Sequence, residues 1–417
     1  MSETGSNRWL VVVGAILIQL CLGAIYAWSV FTPELTEAGW TKEQTQWVFA
    51  AGLAFFAIVM VIAGRMLPKV GPRALAMSGG IVLGAGYLLA GLTGGKSFIL
   101  TLLLVGVVGG SGIGLGYVVP IAVGMRWFPD KKGLITGLAV AGFGFGAMLW
   151  VKLAGAWGHL IESMGLGATF SIYGIAFAAL VIIGGIWMKF PPDGWQPKGY
   201  KPPEAKAGSA PAAGTVDFTS GEMLSTVQYF LILLTFVFSA GAGLMSIGLM
   251  KLFPMQALMS GGMEKAAASA AAGTAMAVFF SLANGIGRIV WGTLSDKLGA
   301  KLSVIIMCAT QGVLVILFQW MAGSTGLLYL GATLIGFNFG GNFALFPVTT
   351  AGTFGAKNIG QNYPWVFLAY GIGGIAGPIM GGKLGDMGNF PLAFTICGIG
   401  CLVAAVLIAM VKPPRKA

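Results

Sequence analysis

The stretch NGIGRIVWGTLSDKLGAK, residues 284–301, decides how the chain is read. It places Arg288 near the end of a long apolar run and follows it with a charged turn bounded by Gly292 and Gly299. Residues 266–281 upstream carry no charge, so a helix through this region holds the guanidinium at membrane depth rather than in water. A cation there costs about 2.5 to 3.5 kcal/mol on insertion-based scales and is by default a functional-site candidate. Asn284 lies four residues earlier and therefore on the same helical face. An amide beside a guanidinium makes a carboxylate cradle, because arginine holds both oxygens of one carboxylate while the amide donates a further bond. The alternative is a structural arginine closing a helix end against backbone carbonyls.

Composition sets the class. The 417 residues are 57% hydrophobic and only 9% charged, with a mean hydropathy of +0.87. That excludes a soluble enzyme with a polar surface and implies a polytopic membrane protein. The first apolar segment begins near Trp9 without a small-residue cleavage site and reads as a retained span. Cys21, Cys308, Cys397 and Cys401 all fall in apolar segments and read as small buried hydrophobes, with no metal site or disulfide framework implied. The single histidine, His159, falls in an expected external loop, and no acid pair or metal-ligand spacing lies within a span, so an enzyme is not expected. Nor is any cofactor.

Apolar stretches of membrane-spanning length number twelve: 9–31, 45–66, 74–94, 98–125, 133–156, 167–189, 226–250, 266–291, 301–322, 325–350, 362–383 and 390–411. With the N-terminus inside, seventeen of the twenty-four Lys and Arg fall on the cytoplasmic side and six outside, leaving Arg288 in the membrane. The positive-inside rule then places both termini in the cytoplasm of a multi-pass cell-membrane protein, expected in a bacterial inner membrane. The thirteen acids split seven to six, so the net charge of +11 is topological and not a nucleic-acid patch.

The chain divides into 1–189 and 226–417, joined by a cytoplasmic linker at 190–225 that carries six prolines among small residues. The halves echo each other: GRMLPKVGPR at 64–73 matches GTLSDKLGAK at 292–301 in both glycines, the lysine and the terminal cation, at an offset of 228. A weaker echo at about 226 relates Trp127 and Phe128 to Thr353 and Phe354. The expected fold is therefore all-α, twelve transmembrane helices in two six-helix bundles, with alternating access between matched repeats. GGSGIGLG at 109–116 superficially resembles a nucleotide fingerprint, but it follows no strand and lies in a span. Gly106, Gly110, Gly112 and Gly116, with Gly142 and Gly146, are spaced instead for close helix contacts.

The doubled glycine-bounded turn in a twelve-span chain with a central linker resembles the major facilitator superfamily. More narrowly, Asn284 to Gly292 with Ser295 and Asp296, YAWSVF at 26–31, and RWFPDKKG at 126–133 resemble the oxalate:formate antiporter family and its relatives, the proton-linked monocarboxylate transporters. The resemblance implies that Arg288 is the substrate-carboxylate ligand, with Asn284 beside it. It also implies that the turns containing Gly64, Gly71, Arg73, Gly292, Asp296 and Lys297 act in gating. Pro68 stands where Asp296 stands in the second copy, so any latch is expected to be stronger in the C-terminal half. Trp28, Tyr117, Phe367, Tyr370, Asn338 and Asn342 are amphipathic or aromatic groups at depths where a substrate cavity would be lined, each also explicable as packing. Asp130 is expected to cap the fifth span, with Arg126, Lys131 and Lys132 serving topology, and Lys152 is expected to snorkel outward.

Oxalate exchangers of this family are expected to have a second buried cation in span eleven, at the position matched here by Tyr370, and no lysine occurs between Lys357 and Lys383. One cation suits one carboxylate, which favours a monocarboxylate such as lactate, pyruvate or formate. No Asp or Glu lies within a span core, and Asn284 stands where animal monocarboxylate transporters are expected to have an aspartate. The expected partners are a small carboxylate, protons and membrane lipid, with the chain acting as a monomer. Proton symport, anion exchange and, more remotely, an anion channel remain open at this point.

Overall fold

The computed structural model describes residues 8–155, 157–192, 194–197 and 216–414, and every regular element among them is a helix. The chain forms two compact units, Met1–Lys201 and Pro202–Ala417. Of the expected linker, 193 and 198–215 lie outside the described residues.

The first unit contains six long helices: α1 (Trp9–Leu22, continuing as a 3-10 stretch over Gly23–Phe31), α2 (Lys42–Val70), α3 (Pro72–Leu92), α4 (Phe98–Trp127), α5 (Lys132–Ala154) and α6 (Leu160–Gly185). The second contains α7 (Val227–Leu249), α8 (Lys265–Leu298), α9 (Ala300–Met321), α10 (Thr325–Phe354), α11 (Ile359–Asp386) and α12 (Phe390–Met410). Among the described residues, eleven helices are long and apolar enough to cross a membrane. The remaining long helix, α10, has 30 residues. Its composition is diluted by Asn338 and Asn342, both buried.

Pairing within each unit follows one plan. In the first, α1 packs on α5, α2 on α4 and α3 on α6; in the second, α7 packs on α11, α8 on α10 and α9 on α12. Lipid tails are as apolar as the side chains, so such packing depends on close approach rather than on expelling water. The span-four and span-five glycines provide it: a Cβ at Gly110 would stand 2.5 Å from Gly52 O, and one at Gly146 would stand 2.2 Å from Leu20 O.

The echoed turns share one backbone conformation. Gly71 and Gly299 both have φ +83, and their N–H groups donate to Leu67 O and Ser295 O, each at 3.0 Å. No atom lies within 4 Å of a Cβ built at either position, so it is the left-handed φ that requires glycine here. Pro72 then occupies the first turn of α3, where its missing N–H costs nothing. The α2 start is set by a reciprocal cap in which Thr41 Oγ1 accepts from Gln44 N and Gln44 Oε1 accepts from Thr41 N.

Two expectations differ from the structure. The sixth helix starts at Leu160 rather than at 167, with a break at Gly165 (φ 77). Asp130 does not cap α5, whose N-cap residue Lys131 makes no side-chain cap bond. Its carboxylate is engaged by Arg8 instead, Nη1 to Oδ1 at 3.0 Å and Nη2 to Oδ2 at 3.4 Å. The carboxylate is thus turned toward the N-terminal segment rather than toward the start of α5.

Candidate functional site

Arg288 is fully buried in the second unit. A π-helical stretch, Ala275–Phe280, precedes it in α8, and such insertions re-aim the side chains that follow. Arg288 Nε donates to Asn284 Oδ1 at 3.0 Å, as their four-residue spacing allows. The guanidinium carbon lies 4.1 Å from the centroid of the Phe343 ring. A cation over an aromatic face gains most where water is excluded.

Phe343 reaches the guanidinium because α8 and α10 approach through their glycines. A Cβ at Gly340 would stand 2.2 Å from Asn284 O, one at Gly287 would stand 2.1 Å from Phe337 O, and one at Gly336 would stand 2.5 Å from Phe280 O. An aromatic wall continues from Phe343: Tyr370 at 5.4 Å between centroids, then Phe367 stacked on Tyr370 at 5.1 Å. The structure thus brings Arg288, Asn284, Tyr370 and Phe367 together, joined by Phe343, which sequence reasoning did not nominate.

The two α10 asparagines have other partners. Asn342 Oδ1 accepts from Ser239 Oγ at 2.6 Å, and its Nδ2 donates to Phe339 O at 3.1 Å. Asn338 Oδ1 accepts from Trp291 Nε1 at 3.2 Å, and its Nδ2 donates to Thr310 Oγ1 at 3.1 Å. Between them these amides tie α10 to α7, α8 and α9, as interhelical polar groups do in membranes.

Trp28 and Tyr117 belong to the first unit. Trp28 Nε1 donates to Thr45 O at 2.8 Å, and the ring lines a small cavity with Phe49, Tyr87 and Val105. Tyr117 is buried between Phe56 and Phe143, at 5.0 and 5.4 Å, and its carbonyl accepts from Gln19 Nε2 at 3.2 Å.

Of the turn residues, Gly64 lies inside α2 and Gly292 inside α8, while Asp296 and Lys297 are exposed. The cation closing each motif caps the sixth helix of its own unit. Arg73 Nη2 donates to Ile186 O at the end of α6, and Lys301 Nζ donates to Val411 O at the end of α12, at 2.7 Å. Helix C-termini present unsatisfied carbonyls and a partial negative charge, which a cation stabilises.

A buried guanidinium with an amide and an aromatic face among its partners has the chemistry to receive a carboxylate. The Major Facilitator Superfamily model matches residues 9–278 and 253–417, and the chain belongs to that superfamily. It is 30% identical to the uncharacterized MFS-type transporter YhjX of Escherichia coli, over 88% of this chain and 86% of that one. It is 27% identical to the oxalate:formate antiporter of Oxalobacter formigenes, covering 98% and 92%, and 26% identical to monocarboxylate transporter 13 of Rattus norvegicus, covering 97% and 89%. The fold is similar to that of the transporter FucP in its outward conformation, with a TM-score of 0.67 at 16% identity over 95% of this chain and 97% of that one.

Proposed function

We propose that the chain is a secondary transporter of small monocarboxylates of the lactate and pyruvate type, working by proton-coupled symport through alternating access. The observation that carries this reading is the buried Arg288, hydrogen-bonded at 3.0 Å to Asn284 and seated 4.1 Å over Phe343. The anion is bound by Arg288 with Asn284 beside it, against the wall of Phe343, Tyr370 and Phe367. Tyr370 stands where the family resemblance implies a lysine for oxalate exchangers, which supports one carboxylate over two. The turns at Gly64, Gly71 and Arg73 and at Gly292, Asp296 and Lys297 gate the path.

In this reading α10 also crosses the membrane and brings the spans to twelve, the bundles are 1–189 and 226–417 with 190–225 between them, and both termini are cytoplasmic. The protein acts as a monomer in a bacterial inner membrane without a cofactor. With no acid in a span core, the proton travels with the substrate. Acidifying the outside of proteoliposomes should therefore accelerate uptake of labelled lactate. The relation to an oxalate:formate antiporter favours a second reading, anion exchange. Uptake that ignores the pH gradient and requires internal anion would replace the first reading with the second.

A further inference from the structure

The start of α11 lacks a cap of its own. Asn358, its N-cap residue, makes no side-chain cap bond, and Pro364 within the helix has no N–H to donate. Its first-turn N–H groups bond locally, Ile359 N to Ala356 O and Gln361 N to Asn358 O, while residues 216–220, 140 or so positions away in sequence, hold the residues around its start. Asp217 Oδ1 accepts from Lys357 N at 3.0 Å, bringing a carboxylate to the positive end of α11. Phe218 O accepts from both Asn358 Nδ2 and Asn362 Nδ2, each at 2.9 Å. Asn362 Oδ1 in turn accepts from Ser220 Oγ at 3.0 Å. Phe218 N donates to Phe354 O at 2.9 Å, and the two rings meet at 5.7 Å.

The backbone is shaped for this contact. Gly355 has φ +86, and a Cβ there would stand 2.2 Å from Asp217 Oδ1, so a side chain at 355 would displace the carboxylate. Asn362 is fully buried although it lies in the first turns of the helix, and both ends of its amide are engaged by the strap. Two turns further along the same face stands Tyr370, with Phe367 stacked against it.

We propose that residues 216–220 form a strap that ties down the start of α11, and that Asp217 and Asn362 are positioning residues for the Tyr370 and Phe367 wall beside Arg288. The proposal rests on the carboxylate-site reading for its effect on transport, but its geometric core does not depend on what is carried. Asp217 serves as a hydrogen-bond acceptor fixed at Lys357 N, so Asp217→Asn retains the contact and Asp217→Ala loses it. Asn362→Leu fills the same space and loses both bonds.

The test uses the full-length protein with its four cysteines replaced by alanine and Tyr370→Cys introduced. The rate of maleimide labelling at position 370 is measured beside the melting temperature in each strap background. Asn362→Leu and Asp217→Ala should label at least fivefold faster than the intact strap, whereas Asp217→Asn should stay within twofold. In proteoliposomes without the Tyr370 change, the first two should raise the lactate KM about tenfold with little change in maximal counterflow. Labelling that is unchanged, or that rises equally in Asp217→Asn and Asp217→Ala, overturns the strap. Faster labelling in a protein whose wild-type form carries no lactate, pyruvate, formate or oxalate would keep the strap and remove the carboxylate reading.

Discussion

Replacing Gly340 by alanine places one methyl group where α10 meets α8. A Cβ there would stand 2.2 Å from Asn284 O and 3.1 Å from Asn284 Oδ1, whereas ordinary contact begins at 3.4 Å. The shortfall of roughly 1.2 Å is against helix backbone, which cannot rotate aside, so the two helices must part. Overpacking of this kind costs about 1 to 3 kcal/mol. Alanine's better helix propensity returns about 0.5 to 1 kcal/mol, leaving a net loss of up to about 2.5 kcal/mol. The larger consequence is local, because the displacement carries Asn284 and Arg288 away from Phe343. Since shifts near 1 Å can cost about a hundredfold in positioned sites, at least a tenfold loss of lactate affinity is expected, or about 1.4 kcal/mol. Gly352→Ala is the control: it lies in the same helix with nothing within 4 Å of its Cβ and should be neutral or slightly stabilising. Melting temperature against lactate concentration, in detergent, reads both quantities. If Gly340→Ala matches the wild type in affinity, close approach of α8 and α10 does not build the site.

Three further outcomes follow from the same geometry. Phe343→Leu keeps an apolar residue but removes the face 4.1 Å from the guanidinium; a cation–π contribution of about 0.5 to 2 kcal/mol predicts roughly a 2- to 30-fold weaker lactate affinity in the same melting assay. Asn338→Leu strands the buried Trp291 Nε1, while Thr310 Oγ1 keeps its bond to Ile306 O at 2.8 Å, so it should cost about 1 to 3 kcal/mol of stability while leaving affinity within threefold of the wild type. Arg8→Ala removes a partly exposed ion pair with Asp130 and should lower stability by no more than about 1 kcal/mol, an effect that shrinks as salt is raised.

Arg288 and Asn284 were visible in the sequence because a cation in a charge-free run stands out and a four-residue spacing fixes a shared face. The repeated turns were visible for a similar reason, since glycine at Gly71 and Gly299 is dictated locally by φ. Phe343 was not visible. It lies in a helix that is buried on nearly all sides over residues 338–351, so no periodicity distinguishes one aromatic from another. Its partner is chosen by Gly340 and Gly287, whose meaning appears only when two helices are brought together. Asn338 and Asn342 show the limit of reading polarity as function: depth could be inferred, but the Ser239, Trp291 and Thr310 partners come from three other helices. Asp130 was misread because capping is a local rule, and Arg8 reaches it from 122 residues away. The strap at Asp217 is likewise a long-range contact, and no local pattern announces it.

The account depends on the Arg288 guanidinium meeting the substrate carboxylate, and Arg288→Lys tests this most directly. Lysine retains the charge but loses the planar fork and the Nε bond to Asn284. Lactate binding to the purified variant, measured by calorimetry beside the wild type at equal folded fraction, should weaken at least tenfold. Wild-type affinity in Arg288→Lys would contradict the account and remove this side chain from the site.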